Sequence, residues 1–315
     1  MSTALVDAHP LFSIVTPCLN RAQFIAEAIE SVLRQGIPQF EHIIVDGGST
    51  DGTLDILRRY PHLCVISEAD QGIYDALNKG IRMARGEVIG HLNSDDLFED
   101  GALSEVAHAF ARDSMLDAVY GGASYFDVGA DGARRVLAEY LNPSEIRLSL
   151  ARVMLGVPII NARFFRKRVY DRLGLYDASY RFAADREFLL RVMAAGLPAL
   201  HLARRAYWYR HHPGSLTIRD ASPHLHAILA EHLRLTESYL CRDGVSPDWQ
   251  QTGRAWHRRE AAEGILHSVR EGRFLTGVGY GCRGLRCDPW WPLALAGLLL
   301  SRLAGWISRR WHGRL

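Results

Sequence analysis

The run HLNSDD places two adjacent aspartates, Asp95 and Asp96, between an apolar segment and the apolar pair Leu97 and Phe98. Neighbouring carboxylates in a loop repel each other unless a cation or hydrogen bonds compensate the repulsion. A divalent ion that bridges two phosphates is one such cation, since Mg²⁺ and Mn²⁺ bind carboxylates together with phosphate oxygens. An aspartate-rich turn that caps a helix is the other interpretation. The dipeptide alone leaves both open.

A second polar segment, VDGGSTDGT (residues 45–53), is rich in glycine but lacks the GxGxxG spacing of a pyrophosphate-binding turn. Asp46 stands at the end of a predicted strand, where its carboxylate can accept hydrogen bonds from a base N–H or a ribose hydroxyl. Ser49 or Asp51 is expected to cap the following helix. Taken alone, this segment does not identify a function.

Strand and helix patterns alternate over the first hundred residues and must position both segments. Pro17 is expected to end the first strand, and Asn20 to cap the first helix. The alternation predicts a parallel sheet with helices on both faces. The predicted strands are 12–16, 42–46, 63–67 and 87–92, and the predicted helices run from Asn20 to Gly36, over 53–60 and over 71–84.

Ligands bind beyond the carboxyl ends of the strands in sheets of this kind. A polar segment follows each of the four predicted strands, so one edge of the sheet collects all four. Any one of them could be an ordinary turn, but the four together indicate a binding site. The segments are 16–20, 46–51, 68–71 and 93–96.

The second half of the chain has a less regular pattern. It predicts a strand with a bulge, its hairpin partner, further strand–helix units and a mostly helical C-terminal region. The predicted domains are a nucleotide-binding domain (1–215), a helical region (216–288) and an amphipathic tail (289–315). The predicted elements are strands 118–126, 134–140 and 199–212, a strand–helix passage over 164–174, and helices 143–150, 185–196, 222–242 and 252–271.

Composition excludes several classes of protein. The 315 residues, 48% of them hydrophobic, suffice for one large domain or two modest ones. The net charge of +2 argues against a nucleic-acid-binding protein. Five scattered cysteines form no disulfide framework and complete no zinc site, so we expect a reducing compartment.

The two ends of the chain predict where the protein acts. The segment MSTALVDAHPLF lacks the features of a signal peptide, so we expect a cytoplasmic protein. The thirteen uncharged residues 289–301 are too few to span a bilayer, which takes ~20. Four tryptophans flanked by arginines instead predict an interfacial helix with peripheral contact at the inner face of the cytoplasmic membrane. A C-terminal helix packed on the protein's own core is the alternative.

Three segments in this order and spacing resemble family 2 glycosyltransferases of the GT-A fold. The resemblance implies a GT-A-type α/β domain, with a mostly parallel sheet flanked by helices and a C-terminal helical appendage. It also implies an inverting, metal-dependent sugar transfer of the kind used in bacterial polysaccharide biosynthesis. The similarity is close over residues 11–110 and looser to about 215, and its segments are FSIVTPCLNRAQFIAEAIESVLRQ, EHIIVDGGSTDGTLDIL and SEADQGIYDALNKGIRMARGEVIGHLNSDD.

The resemblance assigns roles to particular residues. Asp95 is the first-choice ligand of Mg²⁺ or Mn²⁺ on the donor diphosphate, Asp96 the second, and Ser94 lies within the same motif. Asp46 would contact the base or the ribose. The other residues expected to lie at the donor are Thr16, Pro17, Leu19, Asn20, Asn78 and Lys79.

The resemblance also places the general base of an inverting transfer at the start of a later helix, where FAADREFLLRV matches. Asp185 is the candidate base and Glu187 the second choice. A helix N-terminus lowers the pKa of a carboxyl, so we expect Asp185 to be ionised. A simple N-cap role for Asp185 is the alternative.

Two further segments bear on the site. In related transferases a residue near YRHHPGSLT reaches the metal or the diphosphate, so His211 is a candidate metal ligand, with His212 beside it; a structural histidine pair is the alternative. This chain has Ile160 and Asn161 where the family often has His-Gln, so its acceptor-side contacts are expected to differ.

The expected partners are a nucleotide-sugar donor, a UDP-sugar being favoured over a GDP- or dTDP-sugar, and a glycan or lipid-linked saccharide acceptor. A non-catalytic nucleotide-sugar-binding protein is one alternative, and it would lack the base. A sugar-phosphate nucleotidyltransferase is another. It would need a basic glycine-rich loop near the N-terminus, where this chain has TPCLN.

Overall fold

A computed structural model describes residues 9–212, 214, 224–242, 244–288, 291–293 and 296–297 of the chain. Among these residues the strands are β1 (Phe12–Cys18), β2 (Phe40–Asp46), β3 (Leu63–Ser67), β4 (Val88–His91), β5 (Leu97–Phe98), β6 (Ala118–Val128), β7 (Arg134–Tyr140), β8 (Arg163–Arg166) and β9 (Ala199–Arg210). The helices of the same residues are α1 (Ile25–Leu33), α2 (Thr53–Leu57), α3 (Ile73–Met83), α4 (Ala102–Arg112), α5 (Pro143–Ile146), α6 (Lys167–Leu173), α7 (Ala184–Ala195), α8 (Leu225–Leu240), α9 (Pro247–Arg270) and α10 (Phe274–Cys287), with a π-helical turn at Ala151–Leu155.

The strands form one sheet in the order β3-β2-β1-β4-β8-β6-β9-β5, and β7 pairs with β6. The first four strands are parallel, as their alternation with helices predicts. β8 lies antiparallel between β4 and β6, while β9 runs parallel to β6. The predicted α/β fold, a mostly parallel sheet flanked by helices, is confirmed, and its second half adds antiparallel pairs.

The short strand β5 fixes the aspartate-containing loop against the far end of the domain. Leu97 and Phe98 pair antiparallel with Trp208 and Tyr207 of β9. Residues 93–96 therefore lie beside the carboxyl end of β9, although the two segments are distant in sequence.

The predicted end of the first strand is wrong. β1 continues through Pro17 to Cys18. On the β4 side, the Val15 carbonyl accepts a hydrogen bond from Leu92, and the ladder with β4 ends there. Because residues two apart in a strand point to the same side, the nitrogen of Pro17 faces this unpaired side, where its missing N–H costs no ladder bond.

The predicted cap of the first helix is also wrong. α1 begins at Ile25, and Asn20 instead has a φ of 53°, in the left-handed region that asparagine tolerates better than most residues. Two other predicted helices are shorter than expected, since α2 ends at Leu57 and α5 at Ile146. Most strands fall within one or two residues of their predicted bounds, and 63–67 and 134–140 match them.

The principal core of this domain joins β1, β4, β5, β8 and β9 to the helices around them. The ring of Phe98 lies 5.8 Å from the ring of Phe164 and 5.8 Å from that of Tyr207. Offset and edge-to-face contacts of this kind stabilise aromatic pairs beyond their buried area. Tyr207 thus has a fixed ring, and its hydroxyl can serve as a rigid support at the end of β9.

The described residues fall into two compact units, 1–153 with 157–216, and 154–156 with 217–315. In the second unit α8, α9 and α10 pack around a small core that contains Leu229, Leu233, Ala261 and Tyr280. The predicted helical appendage is therefore present, and α10 is a helix that the sequence did not predict. The predicted domain bounds at 215 and 288 stay predictions.

None of the helices in the described part of the chain combines the length and the hydropathy that a membrane-spanning helix needs. The predicted membrane-associating tail, residues 289–315, lies outside the described residues except for 291–293 and 296–297.

Candidate active site

The loops after β1 and β2 are joined by hydrogen bonds into one wall. The Asn20 side chain accepts a hydrogen bond from the Thr50 backbone N–H (2.8 Å), and the Asn20 N–H donates to the Ser49 hydroxyl (2.7 Å). The Ala22 N–H donates to the Asp51 carboxylate (2.9 Å). Asn20 therefore stands at the expected edge of the sheet, where it ties the two loops together.

The carboxylate of Asp46 holds the loop after β2 by accepting several hydrogen bonds. One oxygen accepts hydrogen bonds from the backbone N–H groups of Gly48 (3.1 Å) and Ser49 (3.0 Å) and from the Ser67 hydroxyl (2.7 Å). The other accepts from the Ser49 hydroxyl. Asp46 is fully buried, so its first role is to shape the loop. Because Asp46 has no exposed surface, a contact with a base or ribose requires the loop around it to move.

The N-cap of the helix after this loop is Gly52, so the prediction that Ser49 or Asp51 caps it is wrong, although Asp51 accepts hydrogen bonds at the start of the helix. The Asp51 carboxylate accepts from the backbone N–H (3.0 Å) and the hydroxyl (2.5 Å) of Thr53, the first residue of α2.

Other residues predicted to lie at the donor divide into buried and exposed ones. The Thr16 hydroxyl is buried and lies 2.9 Å from His42 Nε2, and Pro17 is buried as well. Leu19 is 49% exposed at the rim. Ser94 is buried and forms a hydrogen bond with Cys18. Burial raises the pKa of the Cys18 thiol to about 12. Leu19 is thus the accessible member of this group.

The structure gives Asn78 and Lys79 internal partners. The Asn78 amide donates to the Tyr176 carbonyl (2.8 Å) and accepts from the Tyr176 N–H (3.0 Å). The Lys79 ammonium lies 2.8 Å from Glu68 and 3.6 Å from Asp75. Asn78 therefore connects α3 to the segment that precedes α7, while Lys79 binds the acidic residues around the loop after β3.

Asp95 presents its carboxylate to basic groups from two different loops. Its Oδ2 atom lies 2.9 Å from His212 Nε2 and 3.6 Å from Arg21 Nε. Its side chain is 16% exposed, and its backbone carbonyl accepts a hydrogen bond from Arg210 Nε (2.9 Å). The backbone of Asp95 is thereby fixed while its carboxylate remains accessible.

Asp96 is buried and accepts three hydrogen bonds. The donors are the Asn93 amide (2.9 Å), the Tyr207 hydroxyl (2.9 Å) and the Arg210 backbone N–H (2.7 Å). Burial and the neighbouring charge of Asp95 raise the pKa of Asp96 well above its ordinary value. Neither aspartate caps a helix, since α4 begins only at Ala102. Asp96 supports the loop, and Asp95 is the one available to a ligand.

His212, and not His211, reaches the aspartate loop. His211 has an exposed side chain, and its backbone N–H donates to the Phe126 carbonyl (2.7 Å). His212 Nδ1 accepts from the Gly214 backbone N–H (3.1 Å). A ring whose Nδ1 accepts must carry its proton on Nε2. His212 therefore donates to Asp95, which fixes the orientation of that carboxylate.

Asn161, at the position where the chain departs from the family that it resembles, supports the same loop. Its amide donates to the Tyr207 hydroxyl (3.1 Å), and its backbone N–H donates to the Tyr209 hydroxyl (3.2 Å). The Tyr207 hydroxyl also accepts from the Asn93 N–H (3.0 Å). Asn161 is thus an indirect support of Asp96, a role that sequence reasoning missed.

Asp185 lies in the first turn of α7 but is not its N-cap, which is Ala183. Its Oδ1 atom accepts from the Arg186 N–H (2.7 Å), and its carboxyl also bonds to the Tyr74 hydroxyl. Burial raises the pKa of Asp185, although Arg186 and these hydrogen bonds act in the opposite direction. The expectation of a lowered pKa is therefore wrong, because desolvation outweighs the helix N-terminus.

Glu187, the second choice for the base, is already engaged. Both of its oxygens accept hydrogen bonds from the Arg191 guanidinium at 2.7–2.9 Å, one turn further along α7. Since this ion pair is mostly buried, Glu187 serves the helix and Asp185 remains the candidate base.

A pair of tyrosines connects the two acidic sites. The rings of Tyr125 and Tyr209 stack with centroids 4.8 Å apart. Burial raises the pKa of both phenols, and the charges of Asp96 and Asp185 raise them further. Both carboxylates therefore lie near the same pair of phenols.

The residues at Asp95 fit a divalent cation. Mg²⁺ and Mn²⁺ prefer carboxylate ligands. The accessible carboxylate of Asp95 lies beside the guanidinium of Arg21 and the Nε2 atom of His212. Asp95 would hold the ion directly, and His212 would hold Asp95.

Two solved structures share this fold. Staphylococcus aureus TarS 1–349 in complex with UDP aligns with a TM-score of 0.58 and 17% identity, over 84% of this chain and 88% of that one. The mannosyltransferase PcManGT from Pyrobaculum calidifontis, in complex with GDP-Man and Mn²⁺, aligns with a TM-score of 0.57 and 20% identity, over 95% of this chain and 81% of that one.

Sequence comparison finds related enzymes. A PGL/p-HBAD biosynthesis glycosyltransferase of Mycobacterium bovis is 34% identical over 195 residues, which are 58% of this chain and 70% of that protein. Chondroitin synthase of Escherichia coli is 28% identical over 249 residues, 78% of this chain and 35% of that protein. Residues 13–174, about half of the chain, match the profile of glycosyl transferase family 2. This protein is therefore a glycosyltransferase and belongs to glycosyl transferase family 2.

Proposed function

We propose that this enzyme transfers a sugar from a nucleotide-diphosphate sugar to an acceptor hydroxyl with inversion, using a divalent cation at Asp95 and Asp185 as the general base. The observation that carries this proposal is the accessible carboxylate of Asp95, which His212 and Arg21 contact beside the end of β9. Asp185, which is buried in the first turn of α7 and bonded to Tyr74, supports the assignment of the base.

The donor end of the site is the wall formed by the loops after β1 and β2. Leu19 and Asn20 form its exposed part, and the hydrogen-bonded loop around Asp46 lies beside Asn20. A Mg²⁺ or Mn²⁺ ion, when bound, neutralises the charge that develops on the leaving diphosphate. Asp95 holds that ion, and His212 holds Asp95 in place. TarS and PcManGT, each solved with a nucleotide or nucleotide sugar, support a donor of this class.

Asp185 receives the proton of the acceptor hydroxyl. A general base works best when its pKa lies near the working pH, and burial moves the pKa of Asp185 upward, toward that range. Tyr74 holds its carboxyl by a hydrogen bond. The stacked face of Tyr125 and Tyr209 gives the acceptor sugar an aromatic wall next to the base.

The acceptor is a glycan or a lipid-linked saccharide, and the donor is a UDP-sugar. The names of the related enzymes, a chondroitin synthase and a PGL/p-HBAD biosynthesis glycosyltransferase, support an acceptor of this kind. TarS, solved with UDP and with UDP-GlcNAc, supports the nucleotide. The proposed place of action is the inner face of the cytoplasmic membrane, reached through residues 289–315.

The test is a panel of nucleotide sugars, each with and without Mn²⁺, measured by thermal stabilisation of the full chain and by release of the nucleoside diphosphate. We expect one donor to stabilise the enzyme only with the metal. Asp95→Ala should remove both the stabilisation and the turnover.

Asp100→Ala is the matched control, since Asp100 is an exposed aspartate nearby in sequence that pairs with Arg34 at the surface. It should behave like the unmodified enzyme. Turnover by Asp95→Ala that still depends on Mn²⁺ would show that the metal is held elsewhere and would refute this assignment.

A further inference from the structure

The C-terminal helical unit contains two histidines and one glutamate that converge outside the proposed transfer site. His226 lies at the start of α8, His267 near the end of α9, and Glu271 directly after α9. One ligand atom from each residue lies within 4.8 Å of the other two. His226 Nε2 is 3.0 Å from one Glu271 oxygen, and His267 Nε2 is 3.1 Å from the other.

We propose that His226, His267 and Glu271 bind a divalent transition-metal ion of the Zn²⁺ class. Imidazole nitrogens favour Zn²⁺, Co²⁺ and Ni²⁺ over Mg²⁺. Two ligand atoms at 2.0–2.1 Å from one tetrahedral ion lie roughly 3.4 Å apart, so side-chain movements of about an ångström bring all three ligands onto the ion. Water completes the coordination, because three protein ligands leave a tetrahedral ion one open position.

A second shell orients His226 for this role. The Tyr280 hydroxyl donates to the His226 carbonyl (3.1 Å) and lies 3.1 Å from His226 Nδ1. Because the phenol proton is directed to the carbonyl, Nδ1 donates to the phenol oxygen. The lone pair of the neutral ring is then on Nε2, the atom that faces Glu271. Metal-binding histidines are oriented in this way, by a hydrogen bond from the other ring nitrogen.

The helices hold this arrangement in place. Tyr280 is almost fully buried in the core that α8, α9 and α10 share. It packs against Gly264, where an added Cβ would lie 2.5 Å from the tyrosine ring. His267 and Glu271 are four residues apart, a spacing that places them on one helical face. The ligands therefore project from a packed support, while exposed fractions of 22–38% leave an ion a route of entry.

The cluster as it stands needs positive charge between its ligands. A lone pair on His226 Nε2 would face a carboxylate oxygen at 3.0 Å, and two lone pairs repel. Either a second proton on the ring or a metal ion resolves this repulsion. Arg273, whose guanidinium lies 3.3 Å from Glu271, supplies part of the charge from the surface. A metal ion and Arg273 thus compete for the same carboxylate.

The experiment uses the full chain, with its affinity tag removed, in an Asp95→Ala background so that the proposed donor-site ion does not contribute. Chelator-treated protein is titrated with Co²⁺, followed by its visible absorption, and then with Zn²⁺ as a competitor. We expect one saturable Co²⁺ site per chain, which Zn²⁺ displaces. Absence of such a site, or protonation of the histidines with no bound Co²⁺, overturns the proposal.

Ligand variants identify the site. His267→Gln and Glu271→Gln should each weaken Co²⁺ binding by more than about tenfold, since even outer-shell partners of metal ligands contribute roughly 10–100-fold. His108→Gln, which changes an exposed histidine on α4, is the matched control and should bind like the parent. Unchanged binding by both ligand variants places the ion elsewhere and refutes the assignment.

A fourth variant serves in case the ligand variants do not fold. Arg273 is 62% exposed and is not a ligand, so Arg273→Gln should fold normally. It should tighten Co²⁺ binding several-fold, because it removes the competing cation. Binding that stays the same or weakens contradicts a site at Glu271.

Discussion

His212 Nε2 lies 2.9 Å from Asp95 Oδ2, although 117 residues separate the two in the chain. The pairing of β5 with β9 brings them together, because it places the aspartate loop beside the end of β9. The candidate metal site therefore depends on the closure of the sheet as much as on the motif itself.

Changing the two neighbouring histidines separates their roles. His212→Gln should raise the Mn²⁺ concentration needed for half-maximal transfer by roughly 10–100-fold, the usual effect of removing a residue that orients a metal ligand. His211→Gln should leave this concentration unchanged, because His211 points to solvent. A larger effect of His211→Gln would show that His211, the candidate ligand of the sequence analysis, is the histidine that acts at the metal site.

The two adjacent aspartates should respond differently to amidation. Asp96→Asn places an NH₂ group among three donors, so at least one buried hydrogen bond is lost and the free energy of unfolding should fall by about 1–3 kcal/mol. Asp95→Asn should change stability little while abolishing metal-dependent transfer. Denaturant titration of both variants measures the difference. An equal loss of stability in the two variants would contradict the different roles of Asp95, the metal ligand, and Asp96, the support of the loop.

The pH dependence of transfer should report Asp185. A base must be ionised, so kcat should fall as the pH falls through the raised pKa of Asp185, above the range of an ordinary aspartate. Asp185→Asn should reduce kcat by about 10²–10⁴-fold without weakening donor binding. If the acidic limb of the profile persists in Asp185→Asn, another group is the base.

The same shift has a consequence for stability. A carboxyl with a raised pKa in the folded state favours its protonated form, so its stabilising contribution is present below the ordinary aspartate pKa and is lost as the pH rises through the raised value. Asp185→Asn should therefore be at least as stable as the parent at neutral pH. Thermal unfolding of both proteins at acidic and neutral pH measures this, and a variant destabilised only at neutral pH would contradict it.

The sequence could predict the local parts of this site. The strands that precede residues 46 and 95 are short apolar runs, and their order along the chain already places both aspartates at one edge of a parallel sheet. Asp185 could be located by its position at the start of a helix. These assignments need only local patterns and the topology that they imply.

The contacts that distinguish neighbouring residues could not be predicted in this way. Successive residues at a strand end point in different directions, and the sequence does not say whether His211 or His212 faces the loop. Asp96 is buried only because Tyr207 and Arg210 arrive from β9. The sign of the pKa shift at Asp185 likewise depends on its burial, which no local pattern reports.

Asn78 should support the site by holding the backbone of Tyr176 in place. Its amide is the buried partner of both the N–H and the carbonyl of Tyr176, so Asn78→Ala leaves two backbone groups unpaired, and the free energy of unfolding should fall by about 1–3 kcal/mol for each group. Asn78→Asp should be worse, because a carboxylate can accept from the Tyr176 N–H but repels its carbonyl. Denaturant titration gives the order, and Lys79→Ala, which removes a more exposed ion pair, is the control. An Asn78→Asp variant as stable as the parent would show that the amide donor is not needed there.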